Sequence, residues 1–187
     1  MSKNTLQINV FIASPGDLAD ARKRLRRSLT EYENDSVVLK PLMWEKNMAV
    51  TSAEKPQEVI NNLLPSCDIL IGMFHTRFGS PTEKYESGTV EEIETFINQE
   101  KPVILYFFNK SITPNKIDAI QFQKVQAFKE KYKSKGIYYE VKSYNDIEKR
   151  IKTDLDYNIN KILNKKEHVS TLNNTSSTKS SDSQPKN

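Results

Sequence analysis

The chain of 187 residues carries 28 basic and 24 acidic residues, for a net charge of +4, and 36% of its residues are hydrophobic. This length and composition allow one soluble domain with a sizeable core. The mild positive charge falls well short of the dense Lys and Arg field of nucleic-acid-binding proteins, so we expect no nucleic-acid partner.

The sequence also limits the compartment. A single cysteine, Cys67, cannot form an internal disulfide and favours a reducing compartment. The first residues lack a signal-peptide pattern, and no apolar run is long enough to cross a membrane. We expect a cytoplasmic protein that has no membrane partner.

Hydrophobic periodicity and turn residues divide the chain into alternating strands and helices. In chain order the predicted elements are strand Leu6–Ala13, a helix from Ser14 to about Glu33, strand Val37–Trp44, helix Pro56–Leu64, strand Cys67–His75, a helix that opens at Gly88-Thr89 and stops before Lys101-Pro102, strand Val103–Phe107, a helix striped by Ala119, Phe122, Val125, Phe128 and Tyr132, strand Ile137–Val141, and a last helix striped by Ile147, Ile151, Leu155, Ile159 and Ile162. Strands that alternate with helices in this way form a parallel sheet.

This order predicts an α/β fold, a three-layer sandwich around a five-stranded parallel sheet of flavodoxin-like type with strand order 2-1-3-4-5. Pro41 predicts an edge position for the second strand, because proline cannot donate a hydrogen bond to the ladder. From Asn164 the composition changes to Ser, Thr, Asn and Lys. We therefore predict a domain over residues 1–163 and a disordered tail over residues 164–187.

The first helix has a start signal and a basic surface. Ser14 suits the N-cap, Pro15 suits the first helical position, and Asp17 stands where a capping box has Glu or Gln. The basic residues that follow are Arg22, Lys23, Arg24, Arg26 and Arg27. A solvated helix face is the favoured interpretation of this run, and a surface for an anionic partner is the alternative.

A ligand site is predicted at one edge of the sheet. In open α/β sheets, ligands bind outside the carboxyl ends of the strands at the switch point, here between the first and third strands. Three predicted loops converge there, Ser14–Asp17, Glu45–Lys55 and His75–Gly88. The helix that opens at Gly88-Thr89 adds free backbone N–H groups and a positive dipole end.

Glu92 is the sharpest candidate for chemistry at that edge. The apolar residues of its helix place Glu91 towards solvent, while Glu92 and Glu94 flank the buried stripe. Glu92 lies in the first turn, where the helix dipole is expected to keep its carboxylate ionised. An ionised carboxylate can stabilise or capture the oxocarbenium-like centre of a breaking glycosidic bond. The alternative role is structural, because Thr89-x-x-Glu92 matches a capping box.

Other motifs at this edge are less informative. His75 and Arg77 leave the third strand and could contact phosphate or ribose, although a surface ion pair is the commoner fate of such side chains. The other histidine, His168, lies far along the chain, so no metal-ligand spacing exists and we predict no metal site. The Ser14–Asp17 turn is neither a P-loop nor a GxGxxG loop.

Five segments together resemble a known family. They are Val10–Arg22 (VFIASPGDLADAR), Met43–Glu45 (MWE), Pro56–Phe74 (PQEVINNLLPSCDILIGMF), Arg77–Thr82 (RFGSPT) and Tyr85–Glu94 (YESGTVEEIE). The chain is similar to an uncharacterised bacterial domain family, a domain of unknown function, related to TIR (Toll/interleukin-1 receptor) domains and nucleoside deoxyribosyltransferases. The resemblance covers roughly Leu6–Val141, so we expect residues 1–163 to form a TIR-like domain.

The resemblance implies a function and site residues. The wider group places a catalytic glutamate in the helix after the third strand, and Gly88–Ile93 is similar to the GTxxEI pattern of deoxyribosyltransferases. This implies that Glu92 is a nucleophile or an oxocarbenium stabiliser. The pocket residues implied are Ser14, Asp17, Trp44, Arg77, Tyr85, Gly88 and Thr89, with Trp44 as a stacking surface. The expected partner is a nucleotide small molecule, with NAD or a nucleoside as substrate, no cofactor, and a role in defence or stress signalling.

Two other functions stay open. A non-catalytic TIR-like module would self-associate or bind a protein partner through the basic face of the first helix or the edge strand, with Glu92 as a cap. A sensor would bind a nucleotide signal without turning it over.

Overall fold

The computed structural model describes residues 5–43, 56–112, 117–133 and 138–177. Its strands are β1 (Leu6–Ala13), β2 (Val37–Leu42), β3 (Ile69–Phe74), β4 (Val103–Phe108) and β5 (Tyr138–Val141). Its helices are α1 (Ala19–Thr30), α2 (Pro56–Leu63), α3 (Gly88–Asn98), α4 (Ala119–Lys133) and α5 (Tyr144–Ser177). Short 3-10 turns precede α1 and β3, at Gly16–Leu18 and Leu64–Ser66.

The five strands of the described residues pair in parallel in the order β2-β1-β3-β4-β5. The predicted α/β fold, five-stranded parallel sheet and strand order 2-1-3-4-5 are therefore confirmed. β2 forms an edge of the sheet, as Pro41 predicted. β3 lies in the centre with all of its residues buried, which explains why its sequence is an uninterrupted apolar run.

Alternate residues of the strands face two different helical layers. One apolar cluster joins strand residues (Phe11, Leu70, Phe74, Leu105 and Phe107) to residues of α2, α3 and α4 (Ile60, Leu64, Ile93, Phe96, Val125 and Phe128). The intervening strand residues Ile12, Ile71 and Tyr106 are also fully buried and point to the opposite face, because side chains alternate along a strand. α1, which contacts β2, meets the start of α5 where Ser28 Oγ and the Tyr144 hydroxyl lie 2.9 Å apart.

The chain divides into two compact units, Met1–Arg150 and Ile151–Asn187. The first unit contains the sheet. In the second unit α5 continues to Ser177, so its last turns fall within the segment for which composition predicts disorder. Residues 178–187 lie outside the described residues, and the domain boundary after residue 163 stays a prediction. Among the described residues, none of the helices combines the length and apolar composition that a membrane crossing requires.

Close packing around β3 requires a glycine at position 72. A Cβ atom on Gly72 would lie 2.6 Å from Leu105 Cδ2 and 3.1 Å from Ile93 Cδ1. Leu105 lies in β4 and Ile93 in α3, so this glycine allows both a neighbouring strand and the helix to approach the centre of the sheet. The same helix presents Glu92.

We predict that Gly72→Ala lowers the free energy of unfolding by about 1–3 kcal/mol, because overpacking forces Leu105 or Ile93 out of position. Gly16→Ala is the matched control, since no atom lies within 4 Å of the Cβ atom that it adds. Denaturant unfolding of both variants and of the wild type measures the difference. A loss at Gly72 no larger than the loss at Gly16 would contradict this account of the packing.

Candidate active site

The carboxyl ends of β1 and β3 lie side by side, because the two strands pair directly with Ala13 opposite Gly72. β2 follows on one side and β4 on the other, so this is the switch point of the sheet. The loops after β1 and β3 meet here, as the sequence predicted. The loop after β2, with Trp44, lies outside the described residues.

Arg22 is a buried residue of this edge. Only 2% of it is exposed, and its Nη1 donates hydrogen bonds to the Ser14 carbonyl (3.0 Å), to Ser14 Oγ (2.7 Å) and to the Pro15 carbonyl (2.8 Å). The prediction that Arg22 belongs to a solvated basic face is therefore wrong. The reason is tertiary, because the extended segment that follows β1 turns back over α1 and supplies oxygen atoms to the guanidinium.

Asp17 joins the two loops of the switch point. Its Oδ2 accepts hydrogen bonds from the Thr76 backbone N–H (3.1 Å), the Thr76 hydroxyl (2.9 Å) and the Arg77 backbone N–H (3.2 Å). The predicted capping box at Ser14 is wrong, since the 3-10 turn follows Pro15 without a side-chain cap. Asp17 instead holds the segment after β3 against the segment after β1, and the Arg77 side chain remains exposed.

The start of α3 uses a different cap from the one predicted. Ser87 is the N-cap, and its Oγ accepts from the Val90 N–H at 3.4 Å while donating to the Phe78 carbonyl. Thr89 is thus the second residue of the helix, and the Thr89-x-x-Glu92 capping box is wrong. Glu92 has no capping role in this arrangement.

The loop between β3 and α3 is held in place by other elements. Gln121 of α4 accepts from the backbone N–H groups of Phe78 (2.8 Å) and Gly79 (3.1 Å). Gly79 has φ of 111°, a conformation that favours glycine. A Cβ atom on Gly88 would lie 2.7 Å from Gln57 Oε1, so Gly88, predicted to bind substrate, also permits close approach of α2.

Glu92 is almost completely enclosed, with 5% of the residue exposed. Burial raises the pKa of its carboxyl to about 8, the neighbouring charge of Glu91 raises it further, and the Arg22 guanidinium opposes both effects. The prediction that Glu92 lies in the first turn is wrong, because the helix starts at Gly88 after the Ser87 cap and its first turn contains Glu91. The expectation that the helix dipole keeps Glu92 ionised is also wrong at neutral pH. Burial is the larger effect, because the charged form loses its hydration.

Glu91 is also buried, with 5% exposed, although the helical pattern placed it towards solvent. Asn61 of α2 donates to Glu91 Oε1 at 3.0 Å, and Gln57 donates to the Asn61 side-chain oxygen at 3.2 Å. Glu91 Oε2 is buried without a hydrogen-bond partner. The hydrophobic pattern of α3 alone could not predict that Glu91 is buried. That pattern assigned this face of α3 to solvent, but α2 covers it.

Glu94 and Tyr85 line a groove of about 530 Å³ between α3 and α4, and Glu92 is not among the residues that line it. Glu94 accepts hydrogen bonds from Lys131 and, at 2.7 Å, from the Tyr132 hydroxyl. Burial and, secondarily, Glu94 raise the pKa of Tyr132. Tyr85, predicted to bind substrate, lines this groove and packs against the apolar cluster.

His75 follows β3 and is partly buried. Burial and, after it, the positive charge of Lys110 lower the pKa of His75, which favours the neutral ring. Its Nε2 atom is buried without a hydrogen-bond partner. Within the described ranges, no group of three or more His, Cys, Asp or Glu side chains is placed to bind a metal ion.

The described site therefore brings together part of the predicted set. Asp17 and Arg77 meet through a direct contact between the loops after β1 and β3. Arg22 donates a hydrogen bond to Ser14 and acts electrostatically on Glu92. Arg22 and Glu91 are the polar residues that sequence reasoning missed. The unusual feature of the site is the buried carboxyl of Glu92 near the buried guanidinium of Arg22, with a second buried carboxyl, that of Glu91, next to it in the chain.

Fold and site define an α/β domain with a buried ionisable cluster at the switch point of its sheet. The family described as "Domain of unknown function (DUF4062)" matches residues 9–156, and the chain belongs to this family. Membership in a family of unknown function was predicted and is confirmed. The relation to TIR domains stays a prediction.

None of the curated proteins compared with the chain matches it significantly. Among solved structures, the "2-desoxiribosyltransferase from Leishmania mexicana" is similar at 19% identity with a TM-score of 0.40. The match covers 55% of this chain and 65% of that one. The chain thus spans less than two thirds of the length of that enzyme.

The buried Glu92 predicts a specific pH dependence of stability. Its pKa rises from 4.5 to about 8 on folding, so between these values the folded state keeps a proton that the unfolded state releases. Stability should therefore fall as pH rises through this window, by up to about 5 kcal/mol at about 1.4 kcal/mol per pKa unit. Glu92→Gln removes the ionisation, so it should unfold much like wild type near pH 5 and later than wild type near pH 9. Denaturant midpoints across the pH range measure this, and parallel curves for the two proteins would contradict it.

Proposed function

We propose that the chain cleaves the N-glycosidic bond of a nucleoside or nucleotide, with NAD among the candidates, and that the Glu92 carboxyl is the catalytic group. One observation carries this proposal. A carboxyl that is free of capping duty lies buried at the switch point of the sheet, beside a buried guanidinium. Ionisable groups with strongly perturbed pKa values cluster at functional sites.

The chemistry of this bond suits such a carboxyl. When an N-glycosidic bond breaks, positive charge develops at the anomeric carbon, and a nearby carboxylate stabilises that charge or bonds to the carbon. The interaction is stronger in a dry site than in water. Arg22 favours ionisation of Glu92 and therefore assists the form that meets the cation.

The remaining residues have supporting roles in this proposal. We propose Ser14 and Thr89 as residues that contact the substrate, and the exposed Arg77 side chain as a residue at the rim of its site. Asp17 fixes the loops through its bonds to Thr76 and Arg77. Trp44 is proposed as a stacking surface for the base.

The basic face of α1 does not favour the non-catalytic module. Lys23 pairs with Asp20 at 3.7 Å, Arg24 with Glu148 at 3.5 Å and Arg27 with Glu31 at 3.8 Å. These pairs are exposed and contribute little energy. They do partly neutralise the surface that an anionic partner would use.

Glu92→Gln tests the proposal. Glutamine has the same shape but neither donates a carboxyl proton nor forms a carboxylate, so release of free base from a panel of nucleosides, nucleotides and NAD should fall by at least about 100-fold. Mass spectrometry of the products gives the rates. Glu94→Gln on the same helix is the control and should turn over substrate at the wild-type rate.

Equal turnover by wild type and Glu92→Gln would overturn the assignment. A wild type that releases no base from any compound would overturn the enzyme proposal as a whole. In that case a ligand that raises the melting temperature without being consumed would identify a nucleotide sensor.

A further inference from the structure

We propose that Glu92 enters the reaction as a proton donor, that Glu91 is a positioning residue that reinforces this role beside the effect of burial, and that the site consequently acts on neutral N-glycosides. This inference rests on the proposed function and adds the substrate class. It follows from the arrangement of charged groups around two adjacent side chains.

Both carboxyls are buried, and the charge of one acts on the other. Glu91 and Glu92 are consecutive on α3, and each is 5% exposed. Asn61 fixes Glu91 by donating to its Oε1 at 3.0 Å, while its Oε2 has no hydrogen-bond partner. The neighbouring charge of Glu91 opposes a negative charge on Glu92 and so raises the pKa of Glu92.

The positive charge that faces Glu92 is Arg22, and it does not reverse this effect. Arg22 Nη1 is bound by oxygen atoms of Ser14 and Pro15, so part of its field is already neutralised by backbone and hydroxyl dipoles. Burial and Glu91 together outweigh Arg22 and raise the pKa of Glu92 to about 8. At pH 7 the Glu92 carboxyl therefore carries its proton.

A protonated carboxyl determines the order of events at the bond. Glu92 donates its proton to a ring nitrogen of a purine, or to a carbonyl oxygen of a pyrimidine, as the bond from that base to C1′ breaks, and the electron pair of the bond leaves with the base. Glu92 is now a carboxylate facing the cationic sugar, which it stabilises or bonds at C1′. Water then adds at C1′ and gives a proton back to Glu92, so that the carboxyl ends as it began.

This order of reaction steps favours substrates according to the charge of their base. A neutral purine or pyrimidine would leave as an anion unless it is protonated, so it needs a donor such as Glu92. The nicotinamide ring of NAD is already cationic and leaves as a neutral molecule without a proton. NAD would need Glu92 as a carboxylate from the start, and that form is the minor one at pH 7.

The first experiment compares the pH dependence of cleavage for two kinds of substrate. Inosine and thymidine serve as neutral nucleosides and NAD as the cationic one, with the full-length chain. Cleavage of the neutral nucleosides should be constant below about pH 8 and fall about tenfold per pH unit above it. Cleavage of NAD at pH 7 should be at least about tenfold slower and should rise with pH. Faster cleavage of NAD than of both nucleosides at pH 7 would overturn the inference.

The second experiment replaces Glu91 by glutamine, which keeps an acceptor for Asn61 and removes the charge. The alkaline fall in nucleoside cleavage should move to lower pH by about one unit, because the like charge is gone. Glu94→Gln is the matched control and should leave the profile in place. A purely structural role for Glu91 would change the rate or the melting temperature without moving the profile, which would refute the positioning role.

A titration that is independent of catalysis separates this inference from the proposed function. In protein labelled with ¹³C at the glutamate carboxyls, the resonance that titrates near pH 8 and is missing from Glu92→Gln reports Glu92. Its midpoint should fall in Glu91→Gln, and an unmoved midpoint would refute the inference even if bases are released. No base release from any substrate refutes the proposed function, and the substrate class with it.

Discussion

Arg22 places a guanidinium inside the protein, and the site depends on how that charge is compensated. Removing such a group from water costs several kcal/mol unless hydrogen bonds replace its hydration. Three of these bonds go to Ser14 and Pro15, which fixes the path of the chain after β1. The segment then enters a 3-10 turn in place of a capped helix start. That turn presents Asp17 to the end of β3, so a single buried charge determines how the two loops meet.

Whether Glu92 is ionised depends on the relative size of two opposing effects, the helix dipole and desolvation. A helix dipole stabilises an anion by only about 0.3–1 kcal/mol even in the first turn, and in the structure Glu91 lies in that turn while Glu92 follows it. A pKa raised from 4.5 to about 8 corresponds to several kcal/mol against the charged form, at about 1.4 kcal/mol per unit. Arg22 reduces that opposition and Glu91 increases it. Desolvation therefore outweighs the dipole, and a rule derived from exposed helix ends does not hold for an enclosed carboxyl.

The fold could be predicted because its signals are local. Apolar runs and turn residues located each strand of the described residues, and β1 has the predicted bounds Leu6–Ala13. The sheet edge at which the candidate site lies followed from the topology. The burial of Arg22 and Glu91 could not be predicted, because it depends on a loop and on α2, which a pattern along one helix does not contain. The prediction of Thr89 as the cap was wrong for the same reason, since the actual cap, Ser87, is held by the carbonyl of Phe78, nine residues earlier.

The raised pKa of Glu92 satisfies two requirements, a stable fold before the reaction and a carboxylate during it. A carboxyl of ordinary pKa in this position would meet only the second. A permanently charged carboxyl in this enclosed position would destabilise the fold at all times. A neutral carboxyl does not, and in the proposed reaction it becomes charged when it gives up its proton, at the moment when positive charge develops on the sugar. The opposing charge then replaces the lost hydration. Glu91 raises the pKa of Glu92 and Arg22 lowers it. In the proposed reaction, Glu91 therefore favours the protonated carboxyl before the bond breaks, and Arg22 stabilises the carboxylate that remains.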